Sequence, residues 1–242
     1  MTTELPPIPE VGRALFHVKQ LPVIEQYAGL LASDGVLRGL IGPREVPRLW
    51  DRHILNCAVM AELLPSNCSL ADIGTGAGLP GLVLAIARPD VEVTLIEPLL
   101  RRTTFLSEAV ETLGLENVEV VRGRAEEVHG KRTFDVVTSR AVAPLPRLLG
   151  WSMPLVAQDG ALLALKGSNV VDELGEVREL LRSSGCADPL VHSLGGVDGL
   201  STTHVLRVAW AGPRSVDWPP TPTTPRKGAQ GRTPRRGSGR RS

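Results

Sequence analysis

The stretch Ala71-Asp-Ile-Gly-Thr-Gly-Ala-Gly-Leu-Pro-Gly81 holds the residues best suited to chemistry: four glycines within positions 74–81 and one acid, Asp72. Glycine weakens helices and strands, so this density marks a sharp turn or a close approach of a ligand to the main chain. Gly76, Gly78 and Gly81 satisfy G-x-G-x-x-G, a dinucleotide pattern that is weak by itself. The full string also carries an acid two residues before the first glycine. Asp72 there suits a ligand with an ammonium group, met directly or through water, with main-chain amides for its carboxylate. Glu97 follows Gly78 by nineteen residues, near the spacing at which an acid hydrogen-bonds ribose hydroxyls. In Gly123-Arg-Ala-Glu-Glu127, a peptide N–H near Ala125 and the Glu126 carboxylate suit the edge of an adenine. These three segments point to a nucleoside cofactor; a nicotinamide dinucleotide and a sulfonium nucleoside are both compatible.

Cationic residues form a second group. Arg140 directly follows a predicted strand, Phe134–Ser139, and a guanidinium there can bind a phosphate, a carboxylate or a carbonyl oxygen of a base. Arg52, His53 and Lys166 are further cationic candidates for an anionic ligand, although His53 on an apolar helix face is equally a packed, partly buried histidine. The three cysteines, Cys57, Cys68 and Cys186, form no C-x-x-C. That predicts no metal site and no disulfide framework, and fits a reducing cytoplasm.

The elements that must position these residues follow from periodicity. Apolar residues recur at helical spacing over 10–32, interrupted by Pro22, and again over 45–64. The first 65 residues therefore read as a helical cap. The period then changes. Strands are predicted at 68–73, 91–96, 117–121, 134–139 and 160–166, with candidate last strands at 190–193 and 204–210. Helices are predicted at 80–87, 99–113, 146–156 and 170–183. Strands alternating with helices imply a doubly wound, mostly parallel α/β sheet over residues 66–212. Its glycine loop would open at the carboxyl edge, where ligands bind such sheets.

The chain has 242 residues, 42% of them hydrophobic and only 3% aromatic, so its core must be aliphatic. Its longest strongly apolar run, Leu79–Ala87, falls far short of the roughly 20 residues that cross a bilayer. The start shows no secretory pattern. A net charge of +1 hides an asymmetry. Residues 213–242 hold eight basic side chains, one acid and six prolines, leaving 19 basic against 25 acidic residues elsewhere. That tail is predicted to be disordered, serving either as a nucleic-acid contact or as a plain solvated extension.

The string D-x-G-x-G-x-G is the loop of S-adenosylmethionine methyltransferases. Arg52-His-Ile-Leu55 upstream and Arg124-Ala-Glu126, Phe134-Asp135, Ser139-Arg-Ala141 and Leu165-Lys-Gly167 downstream extend the likeness. With them, residues 10–212 resemble the bacterial 16S ribosomal RNA guanine-N7 methyltransferases, also called glucose-inhibited division protein B. The resemblance implies a Rossmann-like class I methyltransferase fold. It also implies methyl transfer to N7 of a guanine in the 530-loop region of 16S rRNA, with the rRNA or the small ribosomal subunit as partner. It places S-adenosylmethionine contacts at Gly74, Leu79, Ala125, Glu126 and Arg140, beside Asp72, Gly76, Gly78 and Glu97. It makes Arg140 the residue nearest the chemistry, and Arg52, His53 and Lys166 candidate RNA contacts. Two positions depart from the family: Asn56 stands where many members have Asp, and Thr203 where Arg is expected before His204. Two other readings of the same fold are a small-molecule methyltransferase and an NAD-dependent oxidoreductase; a third is a catalytically silent RNA-binding module.

Overall fold

A computed structural model describes residues 4–140, 142–197 and 199–219. Seven strands form one sheet in the order β3-β2-β1-β4-β5-β7-β6. These are β1 (Ser69–Ile73), β2 (Glu92–Glu97), β3 (Val118–Arg122), β4 (Phe134–Arg140), β5 (Val156–Lys166), β6 (Leu190–Leu194) and β7 (Thr203–Ala209). β1 to β5 pair in parallel, and β7 pairs antiparallel with both β5 and β6. The predicted sheet is thus observed, with β5 starting four residues early at Val156.

Side-chain alternation builds a core on each face. Leu70, Val93, Leu95, Val136 and Leu163 point to the side covered by the N-terminal cap. There they meet α4 (Gly81–Ala87) and α5 (Leu100–Leu113). Ala71, Ile73, Ile96, Val137 and Leu162 face the other side, covered by α6 (Leu145–Ser152) and α7 (Val170–Ser183). Burial on both faces explains why the inner strands read as nearly continuous apolar runs. Pro80 lies just before α4 rather than within it. α5 ends at Gly114, whose φ of +63° is the left-handed stop expected there.

The cap is less regular than its periodicity predicts. It contains α1 (Glu10–Arg13), α2 (Leu21–Leu30) and α3 (Asn56–Ala58). Tighter and wider turns complete it: π-type at Leu31–Gly35 and Leu49–Leu55, 3-10 at Pro43–Arg48 and Val59–Leu63. Pro22 sits in the first turn of α2, where its missing N–H costs nothing, instead of kinking a longer helix. Pro47 removes a donor from the second segment, which winds as 3-10 up to Arg48. The wide turn that follows shifts the helical phase and buries Trp50, Ile54 and Leu55.

Residues 213–219, which composition assigns to the tail, lie against the body. Arg214 donates from Nε to the Val156 carbonyl at 3.0 Å and from Nη2 to the Pro154 carbonyl at 2.9 Å. Trp218 meets Trp210 edge-on with ring centroids 6.2 Å apart. These anchors are single residues in a polar stretch, so composition averages over them. Residues 220–242 lie outside the described residues. Among the described residues no helix is long and apolar enough to cross a membrane, and no cluster of His, Cys, Asp and Glu could hold a metal ion.

Candidate active site

The sheet order reverses at β1, between β2 and β4, which opens a crevice at the carboxyl ends of the strands. A cavity of about 660 Å³ lies there, within the roughly 300–1,000 Å³ of small-molecule sites. Gly74, Gly76, Leu79, Glu97, Ala125, Glu126 and Arg140 all line it, so four separate sequence segments converge on one space. Leu40 and Ile41 of the cap and Trp151 of α6 also line it. The sequence reading missed these three, because apolar wall residues carry no motif.

The glycine loop has a mechanical reason for its composition. Gly74, Gly76 and Gly78 have φ of +64°, +62° and +96°, backbone that side chains disfavour. A Cβ on Gly74 would come within 2.9 Å of Val142, and one on Gly78 would overlap Leu82. Several loop amides that the sequence reading offers to a ligand are engaged internally. Gly74 N–H donates to Ile96 O at 2.8 Å, Gly76 N–H to Glu97 Oε2 at 3.1 Å and Gly78 N–H to Thr75 O at 2.9 Å. Gly78 is buried beneath the loop, clamped by Tyr27, whose hydroxyl donates to Ala77 O at 2.8 Å. Tyr27 comes from α2 and carried no signal in the sequence.

Asp72 is fully buried and acts as the loop's inner clamp. Its Oδ2 accepts from the Thr75 hydroxyl at 2.5 Å and from Gly81 N–H at 2.8 Å. Its Oδ1 has no hydrogen-bond partner among the described residues. Burial pushes the carboxyl up to about 7, against the opposing pull of those two bonds. Glu97, also buried, ties the end of β2 to the loop. It accepts from Gly76 N–H, from Leu99 N–H at 3.1 Å and from Arg102 Nη1 at 3.3 Å. A carboxylate has about four acceptor positions, so one remains for a ligand hydroxyl. Arg102 lines the cavity too; its place one turn into α5, five residues after Glu97, was the signal available for it.

Arg140 stands at the border of two spaces. A second cavity of about 570 Å³ shares Arg140 and Val142 with the first, and continues past Leu165, Lys166, Glu173, Asn56 and Thr203. Arg140 Nη1 donates to Arg52 O at 3.3 Å and Nη2 lies 2.9 Å from His53 Nδ1. A guanidinium only donates, so Nδ1 must accept. The remaining proton sits on Nε2, which donates to Glu45 Oε2 at 2.9 Å. Burial keeps the His53 pKa low, Glu45 partly offsets this, and the Arg140 charge lowers it further. Both ring nitrogens of His53 are therefore engaged within the protein. Arg52 is exposed and Lys166 pairs with Glu173 at 2.5 Å. The two departures from the family meet in this second cavity: Thr203 Oγ1 donates to Asn56 Oδ1 at 2.9 Å.

A family model described as GidB, rRNA small subunit methyltransferase G, matches residues 20–201. The ribosomal RNA small subunit methyltransferase G of Nocardioides sp. (strain ATCC BAA-499 / JS614) is 58% identical over 232 residues, covering 96% of this chain and 93% of the relative. The protein of that name from Thermobifida fusca (strain YX) is 53% identical over 234 residues, covering 96% and 94%. Among solved structures, M. jannaschii TYW2 in complex with AdoMet aligns with a TM-score of 0.52 at 20% identity, covering 66% of this chain and 76% of that one. Mitomycin 7-O-methyltransferase aligns at 0.55 and 19% identity, covering 76% and 60%. The structural likenesses establish the fold, and the match over most of the sequence establishes the lineage: this chain belongs to the rRNA small subunit methyltransferase G family.

Proposed function

We propose that this chain transfers a methyl group from S-adenosylmethionine to N7 of a guanine in 16S rRNA, acting in the cytoplasm on the RNA or the small ribosomal subunit. One observation carries the reading: a glycine-walled cavity and a second cavity meet across a single arginine, Arg140.

The residues present fit the cofactor. Glu97 keeps an acceptor position for a ribose hydroxyl, and the 123–126 segment lines the far side for an adenine. Gly74 and Gly76 let the ligand approach the backbone, with Leu79 beside them. Asp72 reaches the ligand only through the loop it clamps or as a buried negative charge beneath it. When bound, S-adenosylmethionine supplies an electrophilic methyl on a cationic sulfur. The chain's task is then alignment. Guanine N7 carries an in-plane lone pair and is unprotonated at neutral pH, so no general base is required. Holding reactants in a near-attack pose can supply roughly 7–11 kcal/mol. Arg140, fixed by Arg52 O and His53, presents its charge at the junction of the cavities, where it can meet the cofactor carboxylate or guanine O6. His53 serves the RNA indirectly by holding Arg140, with Glu45 behind it. Arg52, exposed on the cap, remains the RNA contact of choice, whereas Lys166 is engaged by Glu173.

Mass mapping of 16S rRNA from cells lacking the protein tests the reading. A single guanine should lose one methyl, regain it with the wild-type gene, and stay unmodified with Arg140→Ala. An unchanged methylation map would refute it.

A further inference from the structure

We propose that the second cavity receives the target guanine extruded from its stack, and that Glu173 recognises the guanine's Watson–Crick edge. This rests on the reading above and adds the source of base selectivity. N7 and O6 share one edge of guanine, while N1–H and the C2 amino group lie on another. With N7 turned toward the first cavity at Arg140 and Val142, the N1–H and amino edge points away from it, along the sheet toward β5. Enzymes that modify a base outside its stack commonly read that edge by hydrogen bonding.

The wall on that side carries fitting groups. Lys166 ends β5 and Glu173 lies in the first turn of α7. Their side chains are 10% and 34% exposed and pair at 2.5 Å within the cavity lining. Glu173 is the one carboxylate among the described residues of that lining. Asn56 and Thr203, also in that lining, are bonded to each other and add no charge. An ionised carboxylate can accept from guanine N1–H and from the amino group together. Adenine presents a lone pair at N1 and no amino group at C2, so the same carboxylate repels it. Pyrimidines lack N7 altogether. Lys166 holds the carboxylate in place and leaves its remaining acceptor positions toward the cavity, while Arg140 faces O6.

The test uses the full chain, small ribosomal subunits whose target nucleotide is guanine or adenine, and the variants Glu173→Gln and Glu173→Asp. The wild type should strongly prefer guanine. Glu173→Gln replaces one acceptor oxygen by a donor and should lower kcat/KM on guanine subunits by roughly 10- to 100-fold, the cost of losing a hydrogen bond to a charged group. It should also narrow the preference for guanine over adenine at least about tenfold. Calorimetric affinity for S-adenosylmethionine should not change. Glu173→Asp keeps the carboxylate and should preserve the preference at reduced kcat/KM. A wild-type preference in the glutamine variant would overturn the assignment. If that variant does not fold, unchanged kcat/KM in the aspartate variant would overturn it. Wild-type protein that methylates neither subunit would overturn the functional reading itself, together with this inference.

Discussion

Replacing Asp72 by Asn probes the centre of the glycine loop. Asp72 is buried, accepts two hydrogen bonds through Oδ2, and leaves Oδ1 without a partner among the described residues. Burial raises its carboxyl from an ordinary value of 3.8 to about 7. Between those values the folded protein binds a proton that the unfolded chain does not. The stability from that proton is fully present below the unfolded value, falls as pH rises, and is gone above about 7. Asparagine keeps the shape and one acceptor oxygen and has no proton to lose, so its own packing cost is independent of pH. Between pH 5 and pH 8 only the wild type should weaken through this group. Two pH units of that window lie between 5 and 7, worth about 3 kcal/mol at 1.36 kcal/mol per unit. For a protein of this size that is roughly 6–12 °C in Tm. Thermal melts of both proteins at pH 5, 6, 7 and 8 measure it. The Asn variant should gain on the wild type up to pH 7 and then run parallel. A gap constant across the range would mean that Asp72 is ionised throughout in the folded protein, and the desolvation argument would fail. Saturating S-adenosylmethionine should move the wild-type window to lower pH if its ammonium senses this carboxylate.

Gly78→Ala forces a residue to φ +96° and drives its Cβ into Leu82 and to 3.0 Å from the Tyr27 hydroxyl. Backbone strain of roughly 1–2 kcal/mol and overpacking of roughly 1–3 kcal/mol predict a loss of about 2–5 kcal/mol in urea unfolding; a loss under about 0.5 kcal/mol would show that the loop yields. His53→Gln should narrow its stability deficit relative to wild type as pH falls below about 6.5. The wild-type imidazole has a lowered folded pKa and sheds stability as the unfolded chain takes up protons first. Melts at pH 5.5 and 7.5 that show an unchanged deficit would refute the lowered pKa of the folded imidazole. Ending the chain after Pro219 removes seven basic residues while keeping the Arg214 and Trp218 anchors. RNA affinity should drop with a flatter salt dependence, and thermal stability should hold; equal salt slopes would leave the tail without a role in RNA binding.

Local chemistry was enough to read most of the fold and the outline of the site. Glycine spacing after β1, an acid at the end of β2 and strands alternating with helices all depend on near neighbours in the chain. α7 lies where its periodicity predicts, at 170–183, and the cavity gathers Gly74, Glu97 and Ala125 as expected. The cap resisted such reading, because Pro47 and the wide turn at Leu49–Leu55 alter the helical phase that periodicity assumes.

What required the tertiary structure were relations across distance. Tyr27 reaches Ala77 over 50 residues, Arg140 reaches His53 over 87, and Thr203 reaches Asn56 over 147. No spacing rule encodes such pairs, since they arise only when the sheet sets the carboxyl ends of its strands side by side. That is why His53 reads as an RNA contact in the sequence and as a support for Arg140 in the fold. The chain alone determined which groups were available; folding determined which were left free to meet a ligand, because hydrogen-bond capacity is finite and the protein's interior claims its share first.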